Sequence, residues 1–195
     1  TNTESHNTAL GHHALKDLSD GQYNVAVGAY AGDDATTANY GTYVGYSVGS
    51  AVMTGAYNTL VGAFAGTSIT DGTQNTLMGI ECGQSMTSGS FNVASGRQAL
   101  NSNQTGNYNT ALGYNAGQDV TTGSDNVFIG LDAGRSASPG GSVTTGSNNL
   151  ILGNNSTTYA AVKVSISVTS DERDKTDIKD FTHGLSWINK LRPVT

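Results

Sequence analysis

Tyr57-Asn58-Thr59-Leu60-Val61-Gly62-Ala63-Phe64-Ala65-Gly66 returns 17 positions later as Gln74-Asn75-Thr76-Leu77-Met78-Gly79-Ile80-Glu81-Cys82-Gly83. The spacing holds along most of the chain. Gly11, Gly28, Gly45, Gly62, Gly79, Gly96, Gly113 and Gly130 are each 17 apart, and Gly153 follows after 23. A fixed period of this kind marks a repeat architecture, in which one supersecondary unit stacks on the next.

Aligned on this anchor glycine, the other positions form columns. Four residues before it stand Asn7, Asn24, Asn58, Asn75, Asn92, Asn109, Asn126 and Asn149, broken only by Gly41. Five before it stand His6, Tyr23, Tyr40, Tyr57, Gln74, Phe91, Tyr108, Asp125 and Asn148. Three after it the column is Ala14, Ala31, Val48, Ala65, Cys82, Ala99, Ala116 and Ala133, usually followed by a second glycine.

Each unit is too short and too rich in glycine for an amphipathic helix, since an interior Gly costs about 1 kcal/mol against Ala. Short apolar runs bounded by Gly, Asn, Ser and Thr read as strands and turns. One strand is expected to end at the anchor glycine and a second, shorter one to follow it. The predicted fold is all-β, a parallel β-roll or β-solenoid of about nine 17-residue coils. Equivalent residues would then stack about 4.8 Å apart, for a shaft of about 40 Å. Asn24, Asn58, Asn75, Asn92, Asn109 and Asn126 would form a ladder of mutually bonded amides, and the Tyr column an aromatic stack. Glycine fits bends with positive φ or close backbone approach. Pro139 and Pro193, the two prolines, fall outside the repeat strands.

Two apolar columns flank each strand's axis. One residue before the anchor stand Leu10, Val27, Val44, Val61, Met78, Ser95, Leu112, Ile129 and Leu152. Two before it stand Ala9, Ala26, Tyr43, Leu60, Leu77, Ala94, Ala111, Phe128 and Ile151. Neighbouring strand residues face opposite sides, so one column fills the coil and the other is expected to pack against another subunit. The repeats resemble the heads of trimeric autotransporter adhesins and related repeats of phage tail fibres, over about residues 5–156. The resemblance implies a left-handed roll and a homotrimer.

Charge divides the chain. Residues 1–168 carry four basic and ten acidic groups, whereas residues 169–195 carry five of each. Residues 1–158 read as the repeat domain and 159–169 as a connecting strand, with Val162, Val164, Ile166 and Val168 in alternation. In 170–195, Leu185, Trp187, Ile188 and Leu191 lie at helical spacing before Pro193, which predicts a short C-terminal helix. Ser170-Asp171-Glu172-Arg173-Asp174-Lys175-Thr176-Asp177-Ile178, then Leu185 to Val194, resembles the start of the endosialidase-type intramolecular chaperone domain of phage tail spikes and fibres. That resemblance implies trimerisation and self-cleavage at the Ser170–Asp171 junction. Ser170 would be the nucleophile and Lys175 its base, which requires a lysine pKa lowered by desolvation or a nearby cation. In a chain carrying only the start of that domain, the pair is expected to be inactive.

No residue set calls for a cofactor. One cysteine, Cys82, excludes an internal disulfide and reads as core packing. His6, His12 and His13 cluster in the first coil, but the adjacent His12 and His13 are expected to point opposite ways, so no metal is expected. The net charge of −6 argues against nucleic-acid and anionic-membrane partners. No apolar run approaches transmembrane length. Without an initiator Met or signal peptide, the chain is expected to be a fragment.

The candidates for receptor contact are Tyr30 and Phe64, two residues after the anchor, and Ser136, Ser138 and Pro139 in the six-residue insertion of the longer unit. These features predict a structural and adhesive tail-fibre or spike segment, sited on a virion or an extracellular injection particle. Its partners would be a host-surface receptor or glycan and other tail or baseplate proteins. Two alternatives stand beside it. A glycan hydrolase would need paired carboxylates such as Glu81 and Asp132, which lie three coils apart. An ice-binding solenoid would need threonine arrays, but Thr8, Thr42, Thr59, Thr76 and Thr110 are interrupted by Val25, Val93 and Val127.

Overall fold

The structure, a computed structural model, describes residues 6–158. It is a β-solenoid with one three-residue strand per coil: β1 (Thr8–Leu10), β2 (Val25–Val27), β3 (Thr42–Val44), β4 (Thr59–Val61), β5 (Thr76–Met78), β6 (Val93–Ser95), β7 (Thr110–Leu112), β8 (Val127–Ile129) and β9 (Leu150–Leu152). They form one parallel sheet in chain order. Register follows the period, so Leu60 lies opposite Leu77 and Val61 opposite Met78. The longer unit keeps register by looping out its extra residues, so that Phe128 still meets Ile151.

The strands are only part of what joins the coils. The turns are laddered too: Phe64 N–H donates to Tyr46 C=O at 3.0 Å, Gly66 N–H to Cys82 C=O at 2.9 Å, and Tyr57 N–H to Asn39 C=O at 2.9 Å. Backbone groups in a glycine-rich turn are therefore satisfied by the next coil rather than by water.

The Asn column forms the expected ladder. Asn58 Oδ1 accepts from the Asn75 backbone N–H at 3.0 Å and from Asn75 Nδ2 at 3.1 Å. Asn58 Nδ2 donates to Gly72 C=O at 2.8 Å. Asn75 repeats the pattern with Asn92 and Gly89. The amides are fully buried and fully used. An unmade bond here would cost about 1–3 kcal/mol per orphaned group, which explains why an interior slot holds a polar residue.

The inner column fills the coil. Ala26, Tyr43, Leu60, Leu77, Ala94, Ala111 and Phe128 are fully buried, and the small-residue column of Ala31, Val48, Ala65, Cys82, Ala99, Ala116 and Ala133 packs beside them. Sizes compensate between slots. The second glycine makes room for the large inner residues: a Cβ at Gly83 would stand 2.6 Å from Leu77 Cδ1. Where the inner residues of two successive coils are alanine, that glycine is replaced by a leucine that fills the space. Leu100 stands beside Ala94 and Ala111, and Leu15 beside Ala9 and Ala26. The missing Asn at Gly41 has the same cause, because a Cβ there would overlap the Tyr43 hydroxyl. Tyr43 takes up the volume an amide would need.

Two expectations are corrected. No second strand follows the anchor glycine, because the residue two after it, Phe64 for example, sits at φ 60° and turns the chain. The bends are also not reserved for glycine. Tyr23, Tyr40, Tyr57, Phe91 and Tyr108 lie at φ 56–62°, a region costing about 1–2 kcal/mol for a residue with a Cβ. Inter-coil hydrogen bonds on both sides of each bend offset this strain. The segments 159–169 and 170–195, with the predicted strand and helix, lie outside the described residues.

Candidate interaction surfaces

Strand alternation buries the inner column and turns its neighbours outward. The outward face carries the column before the anchor glycine and the column three before it, Thr or Val in all but the last coil. Met78 is 44% exposed, Ile129 42% and Leu150 69%. Beyond the anchor, Tyr46, Ile80, Tyr114 and Leu131 extend this face and are also exposed. The outward columns thus present a mainly apolar surface along the sheet. Larger contiguous apolar surfaces of this kind mark interaction sites.

A second edge carries the ring column. Tyr23, Tyr40 and Tyr57 stack face to face, with centroids 4.9 and 5.0 Å apart, and His6 extends the stack. Gln74 interrupts it, and Phe91 and Tyr108 resume it at 4.9 Å. The ring faces cover one another, so each tyrosine offers solvent its edge and hydroxyl.

The residues after the anchor form a different row. Tyr30 meets Tyr46 edge to face at 5.9 Å, and Tyr46 meets Phe64 at 5.4 Å. Tyr30 is half-buried and Phe64 38% exposed. Tyr46 was missed by sequence reasoning because it stands one residue after its glycine rather than two. At the N-terminal end of this row His12 and His13 do not point opposite ways. They lie in a turn, not a strand, and their rings stack at 3.9 Å against the edge of Tyr30. Towards the C-terminus the row becomes polar: Gln98 donates to Glu81 at 2.6 Å, and Asn115 to Asp132 at 2.8 Å. Glu81 and Asp132 thus sit in separate coils, each engaged with amide neighbours.

The insertion loop is held from inside. Ser138, placed among the receptor contacts by sequence reasoning, is 2% exposed. Its hydroxyl accepts from Gly134 N–H at 3.1 Å and donates to Arg135 C=O at 2.7 Å. It therefore organises the loop while Ser136 and Pro139 remain exposed. Arg135 sits between Asp132 at 3.1 Å and Asp119 at 3.5 Å, and the hydrogen bond to Asp132 raises its pKa further.

Two columns were not legible as structural devices. Gly55, Gly72, Gly89, Gly106 and Gly123 repeat seven residues before the anchor, and a Cβ at Gly72 would stand 2.5 Å from Gly89 C=O. One residue on, polar side chains cap the coil above: Asn107 accepts from Ser90 N–H at 2.7 Å, and Ser124 from Asn107 N–H at 3.0 Å. Their signal in the sequence is a polar residue at nearly every such position, Ala56 excepted.

Cys82 is fully buried in the core, and burial pushes its thiol up to about 12. The described residues enclose no pocket and gather no group of three metal-ligating side chains. Ser170, Asp171 and Lys175 lie outside the described residues. Comparison of the chain with protein-family models, curated proteins and solved structures found no match.

Proposed function

We propose that this chain is a structural and adhesive segment of a trimeric fibre or spike, of the kind carried by phage tails or related injection particles. The observation that carries the reading is the apolar outer face. A solitary solenoid has no use for valine, leucine, methionine and isoleucine along its outward strand column, interrupted only by Ser95, because their burial is worth about 25 cal/mol per Å2 only if something covers them. Three copies packed face to face would cover them, leaving the tyrosine edge, Tyr30 and Phe64, and the insertion loop outside for a host-surface receptor or glycan. The chaperone-like text at Ser170 to Lys175 supports the same assignment through its resemblance alone.

Light scattering tests the assembly. The expected mass is three times the 20.0 kDa of one chain, and a single-chain mass at micromolar concentration would sink the reading. Adhesion is tested separately by binding of labelled protein to candidate host cells, with Phe64→Ala and Tyr30→Ala variants expected to bind less.

A further inference from the structure

We propose that the sixth coil holds a tetrahedral oxyanion at a site completed only when three copies assemble, built from Ser95, Arg97 and Tyr114 of each. The inference rests on the trimer proposed above.

Two departures from the repeat coincide in one coil. Ser95 is the single polar residue in the column before the anchor glycine, where every other coil has Leu, Val, Met or Ile. Arg97 is the single Lys, Arg, Asp or Glu in the column after it. They flank the bend at Gly96, and Arg97 is exposed there.

Arg97 also differs from the other two Lys or Arg side chains among the described residues. Lys16 lies 3.1 Å from Asp17 and 3.7 Å from Asp33, and Arg135 is paired with Asp119 and Asp132. Arg97 forms no ion pair among the described residues, in a chain of net charge −6. Its guanidinium lies along the fibre, over the Tyr114 ring at 5.6 Å, and donates to the Tyr114 hydroxyl at 3.1 Å. Held this way, it leaves donors free towards the outer face.

Packing three outer faces together gathers three guanidinium groups in a mainly apolar layer. Unpaired charges removed from water are strongly unfavourable. One counter-anion relieves all three. The guanidinium fork matches oxyanion geometry, and a tetrahedral phosphate or sulfate has its own threefold axis, so it can address each subunit alike. The Ser95 and Tyr114 hydroxyls add neutral donors. Enclosure within the assembly selects a free ion over a polymer-bound group.

The test compares thermal melts of the wild-type protein and Arg97→Met in sodium phosphate and in sodium chloride of equal ionic strength. Phosphate should raise the wild-type midpoint more than chloride does, and this excess should vanish in Arg97→Met. The variant also serves to subtract the general stabilising effect of phosphate on folded proteins. In phosphate-free buffer Arg97→Met should melt no lower than wild type, since it removes mutual repulsion. An equal phosphate excess in both proteins overturns the site. So does a lower melt of the variant in every buffer, which would instead point to pairing with a neighbour's carboxylate. Light scattering on the same samples separates the two readings: a trimer without the phosphate excess sinks the anion site alone, and a monomer sinks the trimer beneath it.

Discussion

At the residue scale, one glycine per coil is demanded by the next coil. Gly62 lies at φ 128°, and a Cβ there would stand 2.5 Å from the Gly79 carbonyl oxygen. Both the backbone region and the contact exclude a side chain. Gly62→Ala should therefore cost roughly 3 kcal/mol or more, read as a fall in the denaturant midpoint. Gly140→Ala, at φ 83° with nothing within 4 Å, should cost only about 1 kcal/mol. Cys82 sets a second expectation. Burial moves its thiol from 9.0 up to about 12, and burial likewise raises the Tyr43 phenol. The folded state then holds protons that the unfolded state loses, so stability is fully present below about pH 9 and declines as pH rises towards about 12. Unfolding midpoints measured from pH 7 to 11 should fall only in the alkaline part, and Cys82→Ala should flatten part of that fall. In native protein at pH 8, thiol reagents should leave Cys82 unlabelled.

At the element scale, coils are exchangeable only when their slots agree. Gly41 and Tyr43 are the clearest pair, because the phenol occupies the place of a missing amide. Gly41→Asn alone should destabilise through overlap, and Tyr43→Leu alone through lost volume, each by about 2–4 kcal/mol. The double variant should be more stable than their sum requires, since it restores both the Asn ladder and the Leu column of the neighbouring coil. A double-mutant cycle from urea unfolding measures this coupling, and strict additivity would contradict the account. Much of this level was legible beforehand. The Asn ladder, the tyrosine stack and the pair of opposed apolar columns follow from similar residues at identical spacing. The second strand was misjudged because apolar text after the glycine suggested extension. In fact that text turns at Tyr30 and Phe64, aromatic residues whose own propensity does not favour those φ values.

At the scale of the whole molecule, the buried column serves folding and the exposed column the proposed assembly. Ile129→Lys lies on the outer face, 42% exposed in the single chain. It should leave the circular dichroism of the solenoid unchanged while lowering the assembled mass towards one chain. Phe128→Lys, one residue earlier and fully buried, should prevent folding of its coil. If both substitutions failed alike, the division between inner and outer columns would be wrong.

The order of residues determined the period, the strand positions, the register and the presence of two opposed apolar columns, because a repeat returns the same side chains to the same place and a strand alternates its faces. Tertiary structure alone decided four things: which apolar column faces inward, the positive φ of the ring column, the stacked placement of His12 and His13, and the burial of Ser138. Each depends on neighbours one coil or one loop away. There, inter-coil hydrogen bonds and packing compensate for conformations that the local sequence, taken by itself, disfavours.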